Sequence, residues 1–357
     1  MSQSSLSSLA NNHGFSLIEL MVALVIASFV MLGVFQLFIS SRQTFATHEA
    51  ASRIYDNARV ALQLMAKDIS KTGYRGCVQS QVKGSGINNG EPALVSLLKY
   101  AGTGTPPRAH QPYDDLANSL EAYSAAGEDG ISDEFTLRYQ DGANSVRVLR
   151  TLGQTGDIII AASDPHYSQL YQAVMGSRGG PLLATLSDCQ RSIAFVISTI
   201  THHGNGEATV AKAINTAPAE PAKISYLINT ATDWQSESIG SEAGSLASLQ
   251  RLWIVTYRVN ASPGGGFGLY REVNGAPAQE IAQGVKSLTI EYGINDQANG
   301  GVSRYTRMPT ALETGHASTM RITLVLTDVV DSNLEKTFVR TVKLRNRGLT
   351  DWHGKGQ

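Results

Sequence analysis

Lysine and arginine are missing from the first 41 residues, where His13 is the only side chain able to carry positive charge before Arg42. Over the whole chain lysine plus arginine (29) nearly balances aspartate plus glutamate (30). No long basic run exists that would track a phosphate backbone, so nucleic acid is a poor partner. Catalytic signatures are equally sparse. The histidine pair His202 and His203 has neither an HExxH frame nor a cysteine cluster around it, and reads as an exposed loop rather than a metal site. Ser96 to Lys99 (SLLK) has no S-D-N or K-T-G downstream. The GGGFG stretch at 264–268 leads into a strand, so it lacks the helix N-terminus that would receive a phosphate and reads as a turn. The acidic stretch with Glu128, Asp129, Asp133 and Glu134, and the amide-rich one with Asn295, Asp296 and Asn299, both lack the full EF-hand series. They read as turns before strands. These gaps predict no enzyme, no metal and no cofactor.

What the sequence does have is one long apolar run. From Leu20 to Ser41 there is no charged residue, about the 20 residues an α-helix needs to cross a bilayer core. A removable secretory signal has a basic start, a shorter apolar core and a small-residue cleavage site after that core; none of these fits here. The helical pattern continues past the run. Ile54, Ala58, Ala61, Leu62, Met65 and Ile69 recur at the spacing of one helix face, while Asp56 and Arg59 fall on the other. Lys71, Thr72 and Gly73 make a helix stop with a cation in the last turn. Read continuously, Phe15 to Thr72 predicts a helix on the order of 85 Å long. Its first half is apolar all round and its second is amphipathic, as expected of a rod whose far end packs on a folded domain.

Glu19 is the one acid near the start of the apolar run. A carboxylate at the centre of a membrane helix costs roughly 2.5–3.5 kcal/mol, and less near the interface where Glu19 would sit. One reading is a carboxylate reaching the headgroup region. The other rests on its neighbours: GFSLIEL, Gly14 to Leu20, followed by a long apolar helix resembles the type IV pilin N-terminal motif. The resemblance implies that Gly14 is the last residue of a leader and that Phe15 is the mature N-terminus, N-methylated by prepilin peptidase. Glu19 then matches the acid that pairs with the N-terminal amine of a neighbouring subunit. Burial between helices strengthens such a pair relative to water. The leader departs from the family in having no Lys or Arg, and the positive-inside rule counted literally opposes a cytoplasmic leader.

After Gly73 the pattern becomes short alternating or β-branched runs. The candidate strands are 134–140, 145–150, 157–162, 192–199, 223–229, 252–259, 268–273, 285–294, 319–330 and 336–346. In the ninth, Met320, Ile322, Leu324 and Leu326 share a face, as in a strand lying on a helix. Segments 204–222 and 236–245 read as surface loops or linkers, and the middle region, about 84–215, as open in fold and able to form a subdomain. GYRGC (73–77), SDEFTLRY (132–139), SDC (187–189) ahead of FVIS (195–198), LYREV (269–273), IAQGVKSLTIEYG (281–293) and VKLRNR (342–347) together resemble the PilW-type minor pilins. The region from LYR to IEYG is also similar to J-type pseudopilins of type II secretion, and chain length favours the pilus protein.

The expected fold is α+β and type IV pilin-like, with a long N-terminal helix packed on a large strand-rich domain. The expected division is a leader (1–14), a membrane and filament-core helix (15–41), its amphipathic continuation (42–72) and a periplasmic head (73–357). The resemblance implies an inner-membrane precursor that later enters a pilus. It also implies partners in prepilin peptidase, other minor pilins, the major pilin and a PilY-type tip adhesin. Cys77 and Cys189 read either as two buried free thiols or, in a periplasmic head, as a disulfide. Such a bridge would contribute up to about 4.7 kcal/mol by closing a loop of roughly 100 residues.

Overall fold

The computed structural model describes residues 16–74, 94–96, 98–100, 120–123, 127–151, 157–175, 182–187, 192–212, 227–229, 247–274, 276–295, 301–307, 309, 317–330 and 333–345. Helix α1 runs from Leu17 to Lys71, one residue short of the expected end; Phe15 lies outside the described residues. The chain divides into two units at Arg53/Ile54. In the first, the apolar side chains from Leu17 to Ile39 are exposed on every side of the helix. Among the described residues this is the one helix long and apolar enough to cross a membrane. Ser28 adds no unsatisfied hydroxyl to that surface, because it donates to the Leu24 carbonyl at 2.7 Å. Where the charge-free run ends, the Arg42 guanidinium lies 4.7 Å from the Phe38 ring centroid.

From Ile54 onward one face of α1 is buried. Ile54, Ala58, Ala61, Leu62, Met65, Ala66 and Ile69 belong to a single core, while Asp56 and Arg59 are exposed, as the periodicity predicted. Gly73 ends the helix at φ 74°, a left-handed backbone that glycine adopts without steric cost. Its N–H donates to the Arg138 carbonyl at 3.0 Å, and the Tyr74 carbonyl accepts from the Gln140 N–H at 2.9 Å. The helix terminus is thereby stitched to a strand.

The strands follow in order. β1 (Leu94–Ser96), β2 (Leu98–Tyr100) and β3 (Leu120–Tyr123) are short, and β4 (Glu134–Gln140) is the first long one. Next come β5 (Val146–Thr151), β6 (Ile158–Ala161), helix α2 (Tyr167–Met175), β7 (Leu182–Ser187), β8 (Ser192–His202) and β9 (Glu207–Lys212). After β10 (Leu227–Asn229) the chain enters the 14-residue β11 (Ser248–Ala261). It ends with β12 (Phe267–Val273), β13 (Gln279–Gln283), β14 (Val285–Asn295), β15 (Val302–Thr306), β16 (Ala317–Thr327) and β17 (Glu335–Lys343).

Two cores result. The first is α1 against two antiparallel layers: β15-β14-β16-β17, and β3 and β4 with the second half of β11, β12 and β13. Register places Leu288 opposite Leu324, Ile290 opposite Ile322 and Tyr292 opposite Met320. Met320, Ile322, Leu324 and Leu326 are fully buried in the same core as the α1 face, so the expected strand-on-helix arrangement holds. Gly284 turns β13 into β14 at φ 72°, and a Cβ there would clash with the Thr327 carbonyl oxygen.

The second core is a closed barrel. β5 pairs with β6, β6 with β9, β9 with β8, β8 with β7, β7 with β11 and β11 with β5, every pair antiparallel. Closure is visible at one residue: Ser248 sits opposite both Arg147 and Ser187. Inside lie Val146, Val148, Ile158, Ile160, Phe195, Ile197 and Leu249 among others, with Leu170 and Val174 of α2 packed on them. The expected subdomain in the middle region is thus a barrel inserted between β4 and the second half of β11. The sequence expectation of a loop over 204–222 needs correction, because Glu207 to Lys212 form β9 with Ala208 and Val210 fully buried. Segment 236–245 lies outside the described residues.

Candidate functional site

At the start of α1, Gly14 and Phe15 lie outside the described residues, and Glu19 is placed in the first helical turn with its side chain exposed. The first intrahelical bond runs from the Leu20 N–H to the Ser16 carbonyl at 3.1 Å. The turn that carries Glu19 therefore holds the unpaired N–H groups of a helix start, and their partial positive charge favours an anion there. Among the described residues Glu19 has no hydrogen-bond or ion-pair partner. The surface behind it, Ile18 to Ile39, is apolar and exposed. Such a rod has two physical outlets, lipid or other helices, and in either medium an anion is stabilised by a nearby cation.

Cys77 and Cys189 both lie outside the described residues.

A second constellation is not apparent from the sequence motifs. Asp68, on the buried face of α1, is 3% exposed. Tyr139 of β4 donates its hydroxyl to Asp68 Oδ1 at 3.1 Å, and Tyr257 of β11 donates to Oδ2 at 2.6 Å. Arg271 of β12 donates Nε–H to Oδ2 at 2.9 Å and lies 3.2 Å from the Tyr257 hydroxyl. Burial, reinforced by the Asp68 charge, pushes both phenols well above the usual tyrosine range, so both remain protonated donors. Burial alone would lower Arg271, but the Asp68 carboxylate outweighs it and the guanidinium stays charged. A signal was available: Ile54, Ala58, Ala61 and Met65 step by four, three and four, and the next step of three lands on Asp68.

The remaining polar candidates are engaged within the fold. Glu128 Oε2 accepts from the Ala261 N–H at 2.8 Å. Asp129 closes its own turn by accepting from the Ile131 and Ser132 N–H groups at 3.1 and 2.9 Å. Asp133 accepts from the Ile290 N–H at 2.8 Å and from Arg307 at 2.6 Å, joining the start of β4 to β14. Glu134 opens β4 opposite Tyr123. Asn295 bonds the Ser318 hydroxyl, while Asp296 and Asn299 lie outside the described residues. The histidines are exposed, but His202 closes strand β8 instead of lying in a loop, with Nδ1 3.3 Å from the Tyr167 hydroxyl. His203 Nε2 is 2.8 Å from Thr209 Oγ1. Gly264 to Gly266 form the β11–β12 turn and lead into a strand, as predicted. Among the described residues no three His, Cys, Asp or Glu side chains group as metal ligands.

Residues 9–35 match the family described as the prokaryotic N-terminal methylation motif. This prepilin-type signal supports a pilin or pseudopilin, and suggests a structural protein rather than an enzyme. With the one long apolar helix it is consistent with a protein anchored in the inner membrane, and it suggests interaction with prepilin peptidase and other pilus components. The long helix and strand-rich domain are those of an α+β, pilin-like fold. Comparison with curated proteins and with solved structures gives no match.

Proposed function

We propose that the chain is a minor pilin of the PilW type, a structural subunit that helps to start type IV pilus assembly and is retained at the tip. The precursor inserts in the inner membrane with residues 73–357 in the periplasm. Prepilin peptidase cuts after Gly14 and methylates Phe15, so residues 1–14 are a leader and 15–41 become the membrane and then the filament-core helix. The new amine at Phe15 is a cation at a helix start. Glu19 of one subunit pairs with that amine on its neighbour, which selects one axial register among helices whose apolar flanks would tolerate several. Partners are the other minor pilins, the major pilin below and a PilY-type adhesin above, and the head is tied by a Cys77–Cys189 disulfide.

The observation that carries this reading is the coincidence of three features at one place: the methylation motif over residues 9–35, a helix apolar on every side, and a single acid in its first turn. The test is Glu19→Ala in the host. We expect normal folding and cleavage with reduced piliation or tip-complex formation; full piliation with the variant incorporated would refute the role of the acid. Loss of type II secretion with intact pili would move the protein to the pseudopilins.

A further inference from the structure

We infer that Asp68 is a register pin, which fixes α1 at one axial position in its own head and ties it directly to the two strands that carry the barrel. The apolar part of the α1 face discriminates positions poorly. Its seam residues Ile54, Ala58, Ala61 and Met65 are all apolar, so a slide by one helical turn still sets apolar against apolar at most contacts and costs repacking alone. Asp68 does not tolerate that slide. Moved by about 5 Å, one turn of helix, the carboxylate would lose its three donors, and the partly buried Arg271 and the two buried hydroxyls would lose their shared acceptor. Leaving such groups unpaired is far costlier than a change of apolar neighbour.

The donors come from three different strands, so they locate the carboxylate by triangulation. Two of them bear on the barrel. Tyr139 is the penultimate residue of β4, after which the chain enters the barrel at β5. Tyr257 lies on β11, whose first residues close the barrel. β4 and β11 are also held to each other by the buried contact between the Thr136 and Thr256 hydroxyls at 2.9 Å and by the stacked rings of Phe135 and Tyr257, 4.9 Å apart. A shift of α1 is therefore transmitted to the strands that position the barrel. This inference stands whether or not the chain enters a pilus.

The test is hydrogen exchange on the full chain in detergent micelles. One variant makes the cluster wholly apolar: Asp68→Leu, Arg271→Leu, Tyr139→Phe and Tyr257→Phe. Replacing buried ions by packed apolar groups often preserves or raises stability, so we expect a melting temperature at or above the wild-type value. Amides of 54–71 should nevertheless exchange at least tenfold faster, because the helix samples more than one register. Wild-type protection in that segment would overturn the proposal. Should this variant fail to fold, Asp68→Asn decides. Roughly 100-fold faster exchange confined to 54–71, with the amides of β14 and β16 unchanged, supports the pin; acceleration spread evenly over the head would mark Asp68 as general ballast and refute it.

Discussion

Two carboxylates on α1 meet opposite physical problems. Glu19 is exposed in the first turn of an apolar rod and has no partner among the described residues. Asp68 is buried and has three donors inside the chain. The phenols of that cluster give a prediction with a definite sign. Above about pH 10, the ordinary tyrosine value, the unfolded chain loses phenol protons that native Tyr139 and Tyr257 retain. The native state then binds more protons than the unfolded one, so their contribution to stability is complete below about pH 10 and falls as pH rises further. A tyrosinate absorbance titration, taken as wild type minus the Tyr139→Phe/Tyr257→Phe double variant, will show this pair ionising only as native circular dichroism is lost. Reversible ionisation near pH 10 in folded protein would contradict the geometry.

At the scale of elements, α1 and the strands that cover it were legible because each has one repeated face. Met320 to Leu326 alternate with period two and Ile54 to Ile69 recur at helical spacing, so pattern alone brought them together. Met65 is fully buried in that core, and Met65→Ala is expected to destabilise the head by about 2–5 kcal/mol. Val339 on β17 is 58% exposed, and Val339→Ala should stay within about 0.5 kcal/mol; denaturant melts of the two variants check the contrast. Gly284→Ala should cost about 1–3 kcal/mol, since it adds a Cβ to a left-handed residue already against the Thr327 carbonyl.

The barrel was hidden for a physical reason. Its closure depends on Ser248 pairing with strands roughly 60 and 100 residues earlier, and nothing local encodes that. β7 is buried at every position and so shows no alternation, while β9 lies in an Ala- and Thr-rich stretch whose small side chains suit a barrel interior but resemble a loop. Asp68 is obscured differently: the stepping pattern reaches it, but an acid does not resemble the rest of an apolar face.

The whole molecule comprises an apolar stretch of helix suited to lipid or to other helices and a head of two cores, one built on the second half of α1 and one enclosed by the barrel. If the head matures in the periplasm, Cys77 and Cys189 are oxidised to a disulfide, and a thiol assay on denatured protein will find none free; two reactive thiols would remove the bridge. On the proposed function, a peptidase exposes Phe15 and so supplies a cation for Glu19. Mass spectrometry of the intact mature chain from cells that contain prepilin peptidase tests it most directly. The expected product is a chain beginning at N-methylated Phe15; a functional protein that still carries residues 1–14 would refute the cleavage.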